Sequence, residues 1–372
     1  MTNQNSLEFL RGQIDALDTR IVQLLNDRAR LAQQIGEIKR QTNTSIYHPD
    51  RELQVYKRVI SENKGPLPNA SLTAIYGELM AGSRALERPF KVSYLGPLGT
   101  FSYVAARKNF GPIVDYIPQR TIEGVFREVS MHRADYGIVP VENSTEGGIR
   151  ETLQMFLEFD VKVCAEVVLP IHHCLLSNSP EESIQRIYSK PQVFAQCKNW
   201  LVAHFPQAEL LEVGSTTEAS RLAKKEAGSA AIAHEEVAEL YNLNILYKNI
   251  EDSPLNITRF FVLGESYPCP SSQDKTAIMC YIKNQVGALY GLLHPFKKYC
   301  INLTSIESLP SRRKAWDYSF YIEFEGHASE SRVSKALNKI KKRCLELKIL
   351  GSFPRSEPLL VEEKKIETIH SR

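Results

Sequence analysis

At Thr258-Arg259 a hydroxyl and a guanidinium stand side by side, directly ahead of the apolar run Phe260-Phe261-Val262-Leu263. The run predicts a β-strand, and polar groups at a strand end open into a cleft rather than into a core. A threonine hydroxyl can donate a proton, and an arginine can hold a carboxylate. The same pair also suits an ordinary polar turn, so the elements that would position it have to decide.

Residues 92–95 predict a short strand, and Gly96-Pro97-Leu98-Gly99-Thr100-Phe101-Ser102 leads from it into a helix through Ala105 and Ala106. A glycine-bearing loop between strand and helix presents backbone N–H groups to an anion. It has neither the Lys-Ser/Thr of a nucleotide loop nor a GxGxxG pattern, which points to a carboxylate rather than a phosphate. A strand over 136–141 ends in Glu142-Asn143-Ser144, and Gly147-Gly148 precede a helix with Leu153, Phe156 and Leu157. Residues 161–169 read as a buried strand. Tyr188-Ser189-Lys190-Pro191-Gln192 leads into a helix carrying Gln196, and Ser215-Thr216-Thr217-Glu218 enters another with Ser or Thr as cap. With a further strand over 230–233, the polar loops follow successive strands on one edge of α/β layers. His172-His173 and His234 fit no metal-ligand spacing, and no GxSxG elbow supports a hydrolase.

A second group of charged residues lies upstream. Leu7, Leu10, Ile14, Leu17, Ile21, Leu24, Leu31, Ile35 and Ile38 recur in steps of three and four, the pattern of a helix packing one stripe against partner helices. Arg28 falls on that stripe between Leu24 and Leu31, where a cation is costly unless an anion meets it. Arg11 and Lys39 flank it and, taken singly, read as surface cations with buried stems. A second helix follows Pro49 towards Asn63 and carries Arg51 and Glu52. A third over 71–87 turns Leu72, Ile75, Leu79 and Leu86 inward, with Ser83 and Glu87 on one face. Cations, a carboxyl and a hydroxyl facing inward describe a pocket for a small dicarboxylate. At 1.5 Å rise per residue, Arg11 and Lys39 lie about 42 Å apart on one helix. If both serve one site, Arg11 must come from a second subunit packed antiparallel.

These helices resemble the all-helical chorismate mutase family, through Leu10-Arg11 with Leu17-Asp18, Arg28, Gly36 with Lys39, Pro49 with Arg51-Glu52, and Ser83 with Glu87. The resemblance implies that Arg11, Arg28, Lys39 and Arg51 bind the substrate's carboxylates and ether oxygen. Glu52 would hold a substrate hydroxyl, with His48, Ser83 and Glu87 completing the pocket. The reaction is a pericyclic rearrangement that uses no nucleophile or cofactor, so catalysis rests on holding the reactive conformer and stabilising charge on the ether oxygen. Lys39 is the candidate for that charge, with Glu87 as its companion. A carboxylate there would repel the oxygen, so Glu87 is expected to work protonated.

The central loops resemble the prephenate dehydratase family, through Gly96-Pro97 with Gly99-Thr100-Phe101-Ser102, Pro140 with Glu142-Asn143, Tyr188-Ser189 with Pro191-Gln192 and Gln196, Ser215-Thr216, and Thr258-Arg259-Phe260. The resemblance implies two α/β lobes, like those of periplasmic binding proteins, with prephenate in the cleft. Aromatisation drives loss of carbon dioxide and hydroxide, so the site needs an acid for the departing hydroxyl and clamps for two carboxylates. Thr258 is the first choice at the leaving hydroxyl, as donor or relay, and Glu142 is the alternative acid. Thr100, Ser102, Asn143, Ser144, Gln196, Thr216, Arg259 and Phe260 would bind substrate.

After Pro268-Cys269-Pro270-Ser271-Ser272, strands over 276–282, 301–307, 316–324 and 348–353 and helices over 286–299 and 329–345 predict a βαββαβ, ferredoxin-like unit. It resembles an ACT domain, an amino-acid-sensing module that binds its ligand between paired domains. Gly287-Ala288-Leu289 carries the likeness, and with Asn302, Glu307 and Ser308 would form an effector site for L-phenylalanine. Where the family has Glu-Ser-Arg-Pro, the chain reads Glu307-Ser308-Leu309-Pro310, with Arg312 beyond the proline. An ACT domain kept only for dimerisation is the alternative.

The totals agree with several domains. A chain of 372 residues exceeds one compact core, and 43% hydrophobic with 24% charged residues is globular. A net charge of +3, and a basic cluster at Lys339-Lys341-Lys342-Arg343 that reads as a solvated helix face, give no sign of a nucleic-acid partner. No apolar run approaches membrane-spanning length, the first residues lack a secretory pattern, and seven cysteines without CxxC suggest reduced thiols in the cytoplasm. The expected organisation is an all-α segment over 1–88, a two-lobed α/β domain over 90–267, an α+β ACT unit over 275–354 and a mobile tail over 355–372. The whole resembles the bifunctional chorismate mutase–prephenate dehydratases, homodimeric or larger, without cofactor or metal. A monofunctional dehydratase with a dimerising helical segment and a non-catalytic amino-acid sensor are the rival readings.

Overall fold

The structure, a computed structural model, describes residues 2–42, 44–145, 147–310 and 318–356. Arg312, the start of the strand expected at Trp316 and the tail from residue 357 lie outside the described residues.

The chain opens with α1 (Thr2–Thr42), α2 (Pro49–Glu62) and α3 (Asn69–Glu87). Leu7 to Ile38 keep to one face of α1, but that stripe is not the surface α1 uses within the chain: Leu10, Leu24 and Ile38 are 52%, 65% and 60% exposed. Inside the chain, α1 meets α3 through the neighbouring face of Arg28, Ala32, Gly36 and Lys39. A Cβ on Gly36 would lie 2.7 Å from the Cα of Glu87, so only glycine lets the two helices close at that level. On α3 the buried residues are Met80, Ala81 and Arg84, whereas Ile75 and Leu86, expected inward, are exposed. The expectation followed the apolar residues, but the face α3 buries is that of Met80, Ala81 and Arg84.

Next come β1 (Lys91–Leu95), α4 (Phe101–Phe110), β2 (Asp115–Gln119), α5 (Ile122–Ser130), β3 (Tyr136–Asn143), β4 (Gly147–Gly148), α6 (Arg150–Glu158) and β5 (Lys162–Pro170). The chain then crosses into a second lobe of β6 (Cys174–Ser177), β7 (Arg186–Ser189), α7 (Pro191–Gln196), α8 (Lys198–His204), β8 (Glu209–Glu212), α9 (Thr216–Lys225), β9 (Ser229–Ala233), α10 (Glu235–Tyr241) and β10 (Asn244–Tyr247). It returns through β11 (Ile257–Gly264). The first sheet runs β2-β1-β3-β11-β5, with β4 paired to β3, and the second runs β10-β6-β9-β7-β8. β11 lies antiparallel to both β3 and β5, so the returning strand is central in the first lobe.

The last unit is β12 (Asp274–Ile282), α11 (Ala288–Lys298), β13 (Leu303–Pro310), β14 (Tyr318–Glu325), α12 (Ser331–Lys341) and β15 (Glu346–Pro354). Its sheet order is β13-β14-β12-β15, all antiparallel. Both helices pack on one face of this sheet, and the other face joins the first lobe in one core, where Met279, Leu350 and Phe353 meet Val139, Val163 and Phe261. Gly351 makes this join close, since a Cβ there would stand 2.1 Å from the carbonyl oxygen of Val163. Among the described residues no helix is long and apolar enough to cross a membrane.

Candidate active sites

Successive residues of a strand point to opposite faces, and β11 uses this alternation to separate two kinds of chemistry. Phe260 and Val262 belong to the core under α4, and Phe261 and Leu263 to the core shared with the C-terminal sheet. Thr258 therefore faces the α4 side and Arg259 the C-terminal unit.

On the first face, Asn143 Nδ2 donates to Thr258 Oγ1 at 2.8 Å and to Asn256 Oδ1 at 3.1 Å. Asn143 Oδ1 is held by the N–H of Thr145 at 2.9 Å and by its hydroxyl at 2.5 Å. The asparagine is thus fixed at both ends and can only donate to the threonine. Ser144 ties the strand starts together, donating to the Leu255 carbonyl at 2.7 Å and accepting from the N–H of Ile257 at 2.9 Å.

Thr145, Asn256, Gln192, Gln196 and Glu251 line a cleft of ≈ 640 Å³ between the lobes, and Thr258 is joined to Asn256 of this lining through Asn143. Gln196 is oriented by His173, whose Nε2 is 2.7 Å from Gln196 Oε1. With the amide oxygen as acceptor, Nε2 carries the proton; burial pushes the His173 pKa down, so the ring is neutral. His173 Nδ1 and Asn256 Nδ2 are buried without a hydrogen-bond partner among the described residues. His172 and Glu251 pair at 2.7 Å on the crossing segments.

The remaining expected substrate residues are placed less directly. Thr100 caps α4 and donates to the Leu95 carbonyl at 2.8 Å, and Ser102 is buried in the first turn of that helix. Ser215 caps α9, which leaves Thr216 as its first residue, half-buried. Thr217 bridges the lobes by donating to the Leu98 carbonyl at 3.0 Å. Phe260 is a core side chain, 1% exposed.

On the opposite face Arg259 is surrounded by carboxylates. It reaches Glu142 at 2.6 Å, Glu166 at 3.0 Å and Glu323 of β14 at 2.7 Å. Lys275 of β12 joins Glu166 at 2.9 Å and Glu323 at 3.4 Å, and Tyr321 donates to Glu323 at 3.0 Å. Burial opposes the charge on Arg259, but Glu323 and Glu166 outweigh it and raise its pKa. The same pairing lowers the pKa of Glu323 despite its burial. Arg259 was expected as an open carboxylate clamp. It is instead occupied by three glutamates on the face away from Thr258, because adjacent strand residues cannot share a face.

In the helical segment, Arg28 Nη1 donates to Ser83 Oγ and, at 3.4 Å, to the Leu79 carbonyl. Lys39 Nζ pairs with Glu87 at 2.7 Å and donates to the Ile46 carbonyl at 3.0 Å. Arg28, Lys39, Ser83 and Glu87 are therefore together, as expected. Glu52 is paired with Arg84, a partner the sequence reading missed. His48 caps no group but contacts the Ser45 carbonyl at 2.7 Å through Nε2. Arg51 is exposed and bonded to Gln54, and Arg11 is exposed on the distant part of α1.

In the C-terminal unit, Gly287 takes φ +78° ahead of α11, with Ala288 beginning the helix and Leu289 38% exposed. Asn302 and Ser308 are exposed, and Glu307 approaches Gly148 of β4. Leu309, found where an arginine was expected, is fully buried in the core shared with the first lobe.

A helical segment bearing paired cations, joined to a two-lobed α/β unit with a hydroxyl–amide site, defines a two-site enzyme. Residues 10–88 match the family model for chorismate mutase type II, and residues 92–267 that for prephenate dehydratase. The bifunctional chorismate mutase/prephenate dehydratase of Aquifex aeolicus is 45% identical over 94% of this chain and 98% of its own length. The solved prephenate dehydratase of Arthrobacter aurescens, in complex with L-Phe, is 30% identical over 71% of this chain and 90% of its own, with a TM-score of 0.67. A chain described as GqqA, a novel type of quorum quenching acylase, has the same TM-score at 25% identity, over 72% of this chain and 98% of its own. The fold alone thus does not choose a reaction. This chain belongs to the bifunctional chorismate mutase/prephenate dehydratase family and is an enzyme of phenylalanine biosynthesis with both segments present.

Proposed function

We propose that the helical segment, over 1–88, rearranges chorismate and that the cleft of the unit over 90–267 dehydrates and decarboxylates the prephenate so formed, with Thr258 at the leaving hydroxyl. The bond from Asn143 Nδ2 to Thr258 Oγ1, 2.8 Å long, carries this reading. The oxygen already accepts, so its hydrogen is free to point at the departing group. A threonine is too weak an acid to ionise easily, so it either hydrogen-bonds the departing hydroxide or relays to it a proton taken from solvent water, which makes the leaving group water. Glu142 is the weaker candidate because Arg259 holds it on the far side of the strand. Asn143 orients Thr258, and Gln196, Asn256 and the N–H groups near Thr100 and Ser102 bind the substrate; neutral donors serve the carboxylates because Arg259 is engaged elsewhere. Supplying chorismate and following prephenate and phenylpyruvate separately tests this. Both should form in sequence, and absence of either overturns its half.

In the mutase pocket, Lys39 faces the ether oxygen with Glu87, and Arg28 and Arg51 take carboxylates. Without substrate, Lys39 and Glu87 satisfy each other at 2.7 Å, and an arriving ether oxygen shares the ammonium. Glu87→Gln should lower mutase turnover and leave dehydratase turnover unchanged, and an unchanged mutase rate would remove Glu87 from this role. The uncovered stripe of α1, half or more exposed at Leu10, Ile14, Leu17 and Leu24, supports a homodimer in which a second copy supplies Arg11.

The unit over 275–354, with ferredoxin-like strand order, is read as an ACT domain that takes L-phenylalanine near Gly287, Ala288 and Leu289. The L-Phe complex of the Arthrobacter protein supports this. Added phenylalanine should lower dehydratase activity, and no response at roughly millimolar excess, where even weak binding would register, would leave dimerisation as the unit's only role. The seven free cysteines support a cytoplasmic setting.

A further inference from the structure

Arg84 follows Ser83 on α3 and is 5% exposed. One side of its guanidinium pairs with Glu52 of α2, and Nη2 donates to the Asn109 carbonyl of α4 at 2.6 Å. The group lies 5.4 Å from the ring centroid of Tyr47 and 5.8 Å from that of Phe110. Tyr47 donates its hydroxyl to the Asn109 side chain at 3.0 Å, and Tyr136 of β3 is bonded to Ser45 and to the N–H of Tyr47. The loop over 44–48, which supplies the Ile46 carbonyl to Lys39, is thus clasped by the first α/β lobe.

We propose that Arg84 is a positioning residue of the mutase reaction, fixed by the dehydratase lobe and holding Glu52 ready to accept a substrate hydroxyl. The inference rests on the reading of Glu52 as that acceptor. A buried carboxylate needs a partner to stay ionised and aimed, and a planar guanidinium can hold it while bonding a second acceptor. The groups facing Glu52 are Arg84, Lys39 and His48, with Tyr47 and Tyr56 nearby. Burial pushes the Glu52 carboxyl up, and Arg84 is the strongest opposing influence. Loss of Arg84 therefore moves the Glu52 titration to higher pH.

The test measures both activities in the full chain carrying Arg84→Met, Arg84→Lys, Glu52→Gln, or Glu52→Gln with each Arg84 change. Arg84→Met should lower mutase kcat/KM about 100-fold, shift the acid limb of its pH profile upward and leave dehydratase turnover of prephenate within about threefold. Arg84→Lys, which keeps the charge, should recover at least about tenfold. In the Glu52→Gln background the change to Met should cost less than about threefold, because a residue acting through Glu52 loses its effect once the carboxylate is gone. Unchanged mutase activity in Glu52→Gln alone would overturn the reading of Glu52. If Glu52→Gln is impaired but Arg84→Met costs the same factor in both backgrounds, Arg84 only packs and the proposal fails. Should Arg84→Met not fold, Arg84→Lys decides by the same comparison: an equal loss in both backgrounds overturns the proposal, and a loss confined to Glu52-bearing chains upholds it.

Discussion

The two sites place their charges in opposite ways. In the helical segment Arg28, Lys39, Glu52 and Glu87 are answered by one another, by Ser83 and by Arg84. In the α/β cleft the groups next to Thr258 are neutral amides and hydroxyls, and the charged cluster of Arg259, Glu142, Glu166, Glu323 and Lys275 lies behind the strand. The difference suits the chemistry. A rearrangement with no proton transfer gains from fixed charges that hold a dianion and meet its ether oxygen. An elimination gains from a donor whose direction is set, which an amide pinned at both ends provides.

Thr258→Ala should break the contrast most severely, lowering dehydratase turnover by about a thousandfold with mutase activity intact. Initial rates on each substrate check this, and loss of both would indicate a folding defect. Glu323→Gln removes a carboxylate from the buried cluster and should lower unfolding free energy by roughly 3 kcal/mol. A denaturant titration measures it, and an unchanged midpoint would mean that the cluster does little to join the C-terminal sheet to the lobe. Arg28→Met should cost the mutase about a hundredfold in kcat/KM, since a charge-assisted contact to substrate is lost, without touching dehydratase turnover.

The smallest effect is expected at His234. Burial lowers its pKa to about 4, and its Nδ1 accepts the Glu236 N–H at 3.3 Å, which requires the unprotonated ring. An unfolded histidine titrates near 6.5. Between the two values only the unfolded chain binds the proton, so stability is full above about pH 6.5 and declines towards pH 4. His234→Asn keeps an acceptor and should reduce that decline by on the order of 2 kcal/mol. Unfolding curves at several pH values would show it, and parallel declines in the two proteins would assign the acid sensitivity elsewhere.

Much of this was legible in the chain itself. Periodicity located all three N-terminal helices and the βαββαβ order, because both follow from local spacing of apolar residues. Asn143 and Thr258 were legible as polar residues at strand ends, although they proved to lie within β3 and β11, and Gln196 was legible on its helix. The facing of Arg259 was not foreseen, even though strand alternation alone separates it from Thr258. Lys275 and Glu323 could have been suspected, being charges at inward positions of apolar strands; their partner could not, since it lies on another unit. Arg84 carried a similar signal, a cation on the α3 turn that also holds Met80 and Ala81. His173 and Asn256 were hidden because their roles depend on chain crossings between lobes. β2, β6 and α10 went unread for want of a long periodic run, whereas α5, also unread, carries Ile122, Val125, Phe126 and Val129 at helical spacing and was legible. Leu309 looked like a lost charge in sequence and is a core residue in space.

The clasp of Tyr136 on Ser45 and Tyr47 has a consequence for the order in which the molecule is finished. The residues of the helical segment leave the ribosome ahead of the α/β lobe, yet the hydroxyl that pins their connecting loop is encoded about ninety residues later. Helices α1 to α3 can form from local contacts as they emerge, since such contacts close quickly. The wall that offers the Ile46 carbonyl to Lys39 has to wait until β3 is in its sheet. The helical site is completed by a strand that follows it in the chain.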